Sequence, residues 1–292
     1  MKVSVLGLGQ MGTAIAERLI DAGHSVSVWN RSAGKAADLI DRGATELDSL
    51  NEAWASEVCI TMLADSAALT QVMLGPGGLA VADAGYDKFL IDMSTVSPES
   101  STQVAEAAAA NGIKYLRAPV SGNPGVVRAG TLTIVVSGDQ TDCVAAEDLL
   151  RDIGPHVFRA GNGESARIVK LALNLMIAGT SQLLSEALVL AAAHGIDRAK
   201  MLQIIGASAV GSPFVKYKTQ PLLADDYSST FSTRLMRKDL DLILAAGATG
   251  GVPLPVCAVV SQLLQACIST GLGELDFMSL LIRLEREAGQ KA

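Results

Sequence analysis

The sequence predicts an α/β domain followed by an all-helical domain, with one long helix between them. Short β-branched or apolar runs alternate with helical patterns from the N-terminus to about residue 160. Residues 164–194 contain no proline and one glycine, and their apolar residues recur three and four apart, which predicts a single helix that ends at Gly195. Beyond Gly195 only helical patterns follow. We therefore expect two domains, residues 1–163 and residues 164–292, the second beginning with the long helix.

The first predicted strand, Lys2–Leu6, runs directly into a glycine-rich turn, and a helical pattern ending at Gly23 follows. In this order a first glycine allows a tight turn, a second lets the backbone approach a pyrophosphate, and a third lets the helix pack on the strand. A GxGxxG motif in this context predicts a dinucleotide-binding Rossmann domain. The residues expected to bind the cofactor in this turn are Gly7, Gly9, Gln10, Met11 and Gly12.

The second predicted strand, Ser25–Trp29, ends where the adenosine ribose of a dinucleotide should lie. A carboxylate there would bind the 2′-hydroxyl of NAD, but the chain has Asn30, Arg31 and Ser32 instead. A guanidinium beside two small polar side chains suits a 2′-phosphate, because arginine can bind phosphate through two hydrogen bonds. We therefore expect all three residues to bind the cofactor, with NADP(H) preferred and NAD(H) possible.

Further strands are predicted at residues 58–63, 89–93, 115–120, 132–136 and 157–159, with a helix at 141–152. Ser97 and Pro98 have the residue types of a helix N-cap and first helical position. Ligands of a doubly wound sheet bind at the carboxyl ends of its strands, which places Met62, Leu63, Ser94 and Thr95 near the cofactor.

Residues 118–125 form a loop rich in glycine, proline, serine and asparagine. Such a loop exposes backbone N–H groups, which could form a nest for a carboxylate. An ordinary surface loop has the same composition, so these residue types alone leave both interpretations open.

Lys170 is the only charged residue between Arg167 and Glu186 in the long helix. Asn174 and Ser181 follow it at helical spacing, so one polar stripe includes the amine. Taken alone, the pattern favours a lysine that extends from an apolar helix to solvent. The polar residues of this helix occur too densely for a membrane span, and we expect no membrane partner.

The second half is predicted to be helical at residues 197–207, 233–249, 255–270 and 276–288, and more broken at 214–227. Lys238 lies on one of these helices, where an exposed charge paired with a carboxylate is the simplest interpretation. So much apolar helix predicts burial against another subunit, as a homodimer or homotetramer.

The composition limits the possible partners. The chain has 292 residues, 49% of them hydrophobic, and a net charge of −7 without a block of like charges, so we expect no nucleic-acid partner. The 4 cysteines show no CxxC spacing and the 3 histidines are scattered, which predicts reduced thiols and no metal site. The apolar run at the N-terminus is too short for a signal peptide, so we expect a cytoplasmic protein.

Together these motifs resemble the β-hydroxyacid dehydrogenase family, the group of 3-hydroxyisobutyrate dehydrogenase and tartronate semialdehyde reductase. The similarity covers nearly the whole chain and is much less specific for the substrate than for the family. The matching motifs are GLGQMG (7–12), DMST (92–95), APVSG (118–122), AGTL (129–132), GNG (161–163), KDL (238–240), GVPLP (251–255) and GLGELDF (271–277).

The resemblance implies an NAD(P)-dependent oxidoreductase that interconverts a small β-hydroxy acid and its semialdehyde or keto form. It implies that Lys170 is the general acid/base, that Asn174 orients the substrate, and that Lys238 and Thr95 lie beside the cofactor. A lysine suits this role because an apolar cleft lowers an amine pKa toward neutrality, where the group can give and take protons.

The resemblance also implies that Ser121 and Gly122 hold the substrate carboxylate, but the chain departs from the family nearby. The family usually has Asp before APVSG and two glycines after the serine, where this chain has Arg117 and Asn123-Pro124. It also often has a second asparagine where this chain has Leu173. Asn123 places an amide beside the carboxylate contact, so we expect it to bind substrate that has an extra polar or bulkier substituent.

Two alternatives remain open at this point. An enzyme of the same fold could act on 3-hydroxy amino acids or on imines, although the related imine reductases usually replace the catalytic lysine. The chain could also be a catalytically idle NADPH-binding module whose helical half only dimerises. The Lys170–Asn174 pair and Ser121-Gly122 favour catalysis, because an idle module needs no amine in an apolar cleft.

Overall fold

The computed structural model describes residues 1–82, 84–85 and 87–290. The chain divides into two compact units, Met1–Leu171 and Ala172–Ala292. The first is an α/β unit and the second is helical, which confirms the predicted fold class. The division falls within the long helix, and the domain limits expected from the sequence at residues 163 and 164 remain a prediction.

One twisted sheet forms the centre of the first unit. Its strands are β1 (Lys2–Leu6), β2 (Ser25–Trp29), β3 (Thr45–Glu46), β4 (Val58–Thr61), β5 (Phe89–Asp92), β6 (Lys114–Arg117), β7 (Val120–Ser121), β8 (Thr133–Ser137) and β9 (His156–Gly161). They lie in the order β3-β2-β1-β4-β5-β6-β8-β7, with β9 also paired to β8. Strands β1 to β6 run parallel, and β8 is antiparallel to β6 and β7. The order reverses between β1 and β4, which is where a doubly wound sheet binds its ligand.

Helices cover both faces of this sheet. They are α1 (Gln10–Asp21), α2 (Ala37–Ile40), α3 (Ser66–Leu74), α4 (Pro98–Ala110), α5 (Pro124–Arg128), α6 (Gln140–Ala145) and α7 (Glu147–Ile153), with a 3-10 helix at Leu50–Ala55. Val3 and Val5 of β1 pack with α1 on one face, whereas Leu6 packs with α3 and α4 on the other. Burial on both faces explains why these strands read as continuous apolar runs.

The long helix α8 (Ser165–Ala193) runs from the first unit into the second. It is followed by α9 (Arg198–Ala207), α10 (Pro213–Leu223), α11 (Thr233–Thr249), α12 (Pro255–Ser269) and α13 (Ser279–Glu287). By length and composition α8 could span a membrane, with a mean hydropathy of 1.5, but apolar core helices pass the same test. Its buried side chains include Asn174, Gln182 and Ser185. The expectation that it does not span a membrane remains a prediction.

The structure differs from the sequence-based expectation at several elements. The strand expected at 115–120 is divided into β6 and β7, because Pro119 has no N–H to donate to a neighbouring strand. The helix expected at 141–152 is divided at Ala146 into α6 and α7. The region expected to be broken forms α10, which begins with Ser212 as N-cap and Pro213 in its first turn.

Candidate active site

The glycine turn between β1 and α1 is closely packed. Gly7 adopts a φ of +99°, and a Cβ there would lie 2.4 Å from the carbonyl oxygen of Met62. A Cβ on Gly12 would lie 1.8 Å from the carbonyl oxygen of Gly7. Both positions therefore require glycine, the first for its backbone conformation and the second for the close approach of helix to turn.

The N-terminus of α1 fits a pyrophosphate. Gly9 is the N-cap residue, and a Cβ on it would meet nothing within 4 Å. No acidic side chain occupies the first turn of α1. Backbone N–H groups at a helix N-terminus attract anions, and open space beside Gly9 lets a phosphate approach them. The adjoining residues Gln10 and Met11 belong to the same first turn, exposed and half-buried respectively.

Asn30 connects the glycine turn to the residues that follow β2. Its Oδ1 accepts a hydrogen bond from the backbone N–H of Leu8 at 3.0 Å, and its Nδ2 donates to the carbonyl oxygen of Ser32 at 3.0 Å. Asn30 therefore shapes the turn through backbone contacts, and its direct contact with the cofactor stays a prediction. Arg31 and Ser32 are exposed beside it, open to a ligand phosphate.

Four residues at the carboxyl ends of β4 and β5 form what we call the cofactor shelf: Met62, Leu63, Ser94 and Thr95. The shelf lies beside β1, since the backbone N–H of Met62 donates to the carbonyl oxygen of Leu6 at 2.9 Å. Ser94 Oγ accepts from the N–H of Leu63 at 2.8 Å, which joins its two halves. The sheet thus brings together the predicted cofactor residues from the glycine turn and from the shelf.

A buried ion pair lies beneath the shelf. Asp92 Oδ1 accepts from Thr61 Oγ1 at 2.7 Å and from Ser94 Oγ at 2.6 Å, and Asp92 Oδ2 accepts from Arg167 Nη2 at 2.5 Å. Arg167 also donates from Nη1 to the carbonyl oxygen of Ser94 and from Nη2 to the hydroxyl of Tyr115, both at 2.9 Å. Sequence reasoning did not find this pair. The signal was a carboxylate at the end of a buried strand, which requires a cation from elsewhere in the chain.

Lys170 and Asn174 lie one helical turn apart on α8. Lys170 is half-buried and Asn174 is buried. Asn174 Nδ2 donates to Asp239 Oδ2 at 2.5 Å, and Lys238 Nζ lies 2.9 Å from Asp239 Oδ1. The fully buried Asp239 therefore holds two predicted site residues of the second unit, and it too was missed from the sequence. Lys238 is therefore paired with the carboxylate of Asp239, the next residue in the chain.

The carboxylate loop, residues 121–125, follows β7. Gly122 has a φ of +152°, and a Cβ on it would lie 2.8 Å from Leu132 Cδ1, against the body of the unit. Asn123 Oδ1 accepts from the backbone N–H of Val126 at 3.1 Å and caps α5. The Asn123 oxygen is therefore engaged by the backbone, and the expected contact of Asn123 with substrate remains a prediction. Ser121, half-buried, lies at the start of the loop.

Arg117, which stands where the family usually has Asp, makes its contacts within the first unit. Its Nε and Nη2 donate to Glu164 Oε1 at 2.9 and 2.6 Å, and its guanidinium lies 4.6 Å from the centre of the Tyr115 ring. The residue is 7% exposed, so it acts at the start of α8 and not as a free cation for substrate.

Comparison with known proteins gives matches along both units. The family model for the NAD-binding domain of 6-phosphogluconate dehydrogenase matches residues 2–161, and that for the NAD-binding domain of NADP-dependent 3-hydroxyisobutyrate dehydrogenase matches residues 163–284. A 2-(hydroxymethyl)glutarate dehydrogenase of Eubacterium barkeri is 33% identical over 99% of this chain and 96% of its own. A 3-hydroxyisobutyrate dehydrogenase of Pseudomonas aeruginosa is 34% identical over 95% of this chain and 96% of its own.

Among solved structures, Psf3 in complex with NADP+ and 2-OPP matches with a TM-score of 0.87 and 26% identity, covering 97% of this chain and 99% of Psf3. The Rossmann unit, its glycine turn and the helical second unit define an NAD(P)-dependent oxidoreductase. Within that class, the chain belongs to the β-hydroxyacid dehydrogenase family.

Proposed function

We propose that this protein interconverts a small β-hydroxy acid and its semialdehyde or keto form, with NADP(H) as the preferred cofactor. The glycine turn and the shelf would hold the dinucleotide, which supplies or accepts the hydride. Arg31 and Ser32 support the preference for NADP(H), because they stand where a carboxylate would select NAD. Lys238 and Thr95 would lie beside the cofactor, as the family resemblance implies.

Lys170 would act as the general acid/base. Reduction of a carbonyl places negative charge on its oxygen, and that oxygen must then receive a proton. The observation that supports Lys170 is its place on α8, half-buried and about one turn after Arg167, which is held by Asp92. One turn further on, Asn174 donates to Asp239, and it would orient the substrate oxygen as the family resemblance implies.

The carboxylate loop would bind the acid group common to the substrates of this family. Ser121 offers a hydroxyl, and the backbone around Gly122 offers N–H groups. Asn123 keeps its Nδ2 donor for a second polar group, since only its oxygen caps α5. A relative of this chain is named for 2-(hydroxymethyl)glutarate, a β-hydroxy acid with a second carboxylate, and we propose a substrate of that kind.

The protein would work as a cytoplasmic homodimer or homotetramer without a nucleic-acid or membrane partner. Apolar side chains exposed along α8 support an interface with a second copy, since isolated helices with such surfaces aggregate in water.

A test of the reaction compares 3-hydroxy acids and their semialdehydes with NADP(H) and NAD(H). Lys170→Ala should lower kcat by about 10² to 10⁴, the usual contribution of general acid–base catalysis, and leave NADPH affinity almost unchanged. Lys200→Ala, an exposed lysine on α9, is the matched control and should retain native turnover. If Lys170→Ala turns over like the control, another group transfers the proton.

A further inference from the structure

The buried guanidinium of Arg167 has an energetic consequence for the start of α8. Its side chain is 1% exposed, and the carboxylate it meets, Asp92, is completely buried. An unpaired charge in such a place is strongly destabilising, and a buried pair persists only with good geometry and additional hydrogen bonds. Arg167 has both, because it donates to Asp92, to the Ser94 carbonyl and to the Tyr115 hydroxyl. Its position is therefore narrowly determined.

These contacts join the helix to three neighbouring strands. Asp92 ends β5, Thr61 ends β4 and donates to Asp92, and Tyr115 lies in β6. The Ser94 hydroxyl donates a hydrogen bond to Asp92 and accepts one from the backbone N–H of Leu63. The cofactor shelf and the first turn of α8 thus share one carboxylate.

Arg167 and Tyr115 keep their protonation states near neutral pH. Burial by itself would lower the pKa of Arg167, but Tyr115, Asp92 and Glu164 outweigh it and hold that pKa above its usual value. Burial raises the pKa of Tyr115 to about 12. Neither group therefore changes its charge near neutral pH.

A second ion pair anchors the residue before α8. Glu164 Oε1 accepts two hydrogen bonds from Arg117 on β6, and Glu164 Oε2 lies 3.3 Å from Arg167 Nε. The helix therefore begins between two arginines, one contributed by the sheet and one by its own first turn.

We propose that Asp92 and Arg167 are a positioning pair that sets the height and rotation of Lys170 relative to the cofactor shelf. Lys170 follows Arg167 by three residues, a rise of about 4.5 Å along the helix axis. A displacement of about 1 Å between reacting groups can lower a rate by about 10²-fold, so this attachment matters for turnover. The inference rests on the proposed role of Lys170, although one of its tests does not require activity.

The test removes both charges together, in Arg167→Met with Asp92→Asn. Replacing a buried ion pair by uncharged groups of similar size is often neutral for stability, whereas removing one partner is not. Asn at position 92 keeps an acceptor for Thr61 and Ser94, so the shelf should persist. We expect a folded protein that binds NADPH within about threefold of native affinity and has kcat lowered by about 10- to 100-fold.

A second readout needs no substrate. Acetylation of lysines by dilute acetic anhydride, followed by mass spectrometry, reports how freely each amine moves. Lys35, an exposed lysine of the same chain, is the internal standard. We expect Lys170 in the double variant to react at least about threefold faster relative to Lys35 than it does in the native protein, because its helical turn is no longer fixed. Native protein without dehydrogenase activity would refute the proposed function and leave this comparison valid.

Arg167→Lys keeps the charge and loses the forked contacts, so it covers the case in which the double variant does not fold. It should lower kcat by about 3- to 10-fold and raise Lys170 acetylation in the same direction. The matched control is Lys218→Met with Asp276→Asn, a buried ion pair of the second unit, which should leave both readouts native. A folded Arg167 variant with kcat within about twofold of native, or with unchanged Lys170 acetylation, overturns the inference.

Discussion

Arg31 is the side chain that we propose selects the cofactor. It lies exposed after β2, in a turn that Asn30 fixes through Leu8 and Ser32. A fixed turn lets the guanidinium meet a 2′-phosphate without first losing much conformational freedom. We therefore expect the proposed preference for NADP(H) to depend on the turn together with the side chain.

Arg31→Ala should weaken NADPH binding by about 10- to 100-fold, since a charge-assisted hydrogen bond contributes about 1.5–3 kcal/mol. NADH has no phosphate at this position and should bind as before. Fluorescence titration of both cofactors measures the effect, with Arg42→Ala, an arginine paired with Asp21, as control. Equal weakening of the two cofactors would make Arg31 a scaffold residue.

Among single residues, the sequence predicted those that belong to contiguous motifs and missed their distant partners. Gly7, Gly9 and Gly12 could be placed because strand, turn and helix follow one another. Arg167 and Asp239 could not be found, because each acts on a partner 75 or 65 positions away and pairing is a property of the fold. The role expected for Asn123 was incomplete because its capping contact lies in a helix, α5, that the composition of the loop concealed.

At the level of elements, the carboxylate loop and α5 are joined through the side chain of Asn123. Asn123 Oδ1 accepts the capping hydrogen bond of α5, and its Nδ2 can still donate to a ligand. One side chain can therefore both shape the loop and contact substrate. The two roles separate by mutation, because aspartate can accept the capping hydrogen bond but cannot donate.

Asn123→Asp should therefore keep the fold and lower kcat/KM for a β-hydroxy acid with a second carboxylate far more than for 3-hydroxyisobutyrate, because a new negative charge faces the extra group. Asn123→Gly loses the capping side chain as well, but glycine is tolerated at an N-cap, so the free energy of unfolding should fall by only about a few tenths of a kcal/mol. The comparison uses steady-state kinetics with both substrates. An unaltered substrate ranking in Asn123→Asp would restrict Asn123 to capping.

Element boundaries were predictable where a breaker or cap marked them. Ser97 and Pro98 begin α4 as expected, and residues 233–249 form α11 as expected. The break at Ala146 has no glycine or proline to announce it, and α10 contains Pro221, which on sequence grounds argues against a helix. Packing in the folded chain determines where these helices break or continue, and the local sequence pattern does not predict that packing.

At the scale of the whole molecule, an exposed apolar face of α8 bears on assembly. Three apolar side chains on α8, spaced seven residues apart, form an exposed apolar stripe: Met176, Leu183 and Leu190 are 69%, 65% and 64% exposed. A spacing of seven returns to the same helix face every two turns, so the stripe is continuous. A face of this kind suits a second copy of the same chain, in a closed and symmetric pair.

Met176→Glu with Leu183→Glu should convert the proposed oligomer to a species of 30.2 kDa, because two carboxylates of each copy would have to be buried without partners. Light scattering after size-exclusion chromatography at low micromolar concentration measures the mass. Val144→Glu, an isolated exposed apolar residue of α6, controls for added charge and should leave the mass unchanged. A native protein that already has the monomer mass would contradict the proposed assembly.

The burial of the thiols has a consequence for how this oxidoreductase withstands oxidants. Cys59, Cys143, Cys257 and Cys267 are all free and buried, and burial raises the pKa of each. The thiolate is the species that peroxides and disulfides attack, so all four sulfurs are doubly protected, by access and by protonation. The native protein should give no colour with Ellman's reagent and release four thiols once unfolded. Its turnover rate should therefore be unchanged by a peroxide treatment that inactivates enzymes dependent on an exposed cysteine.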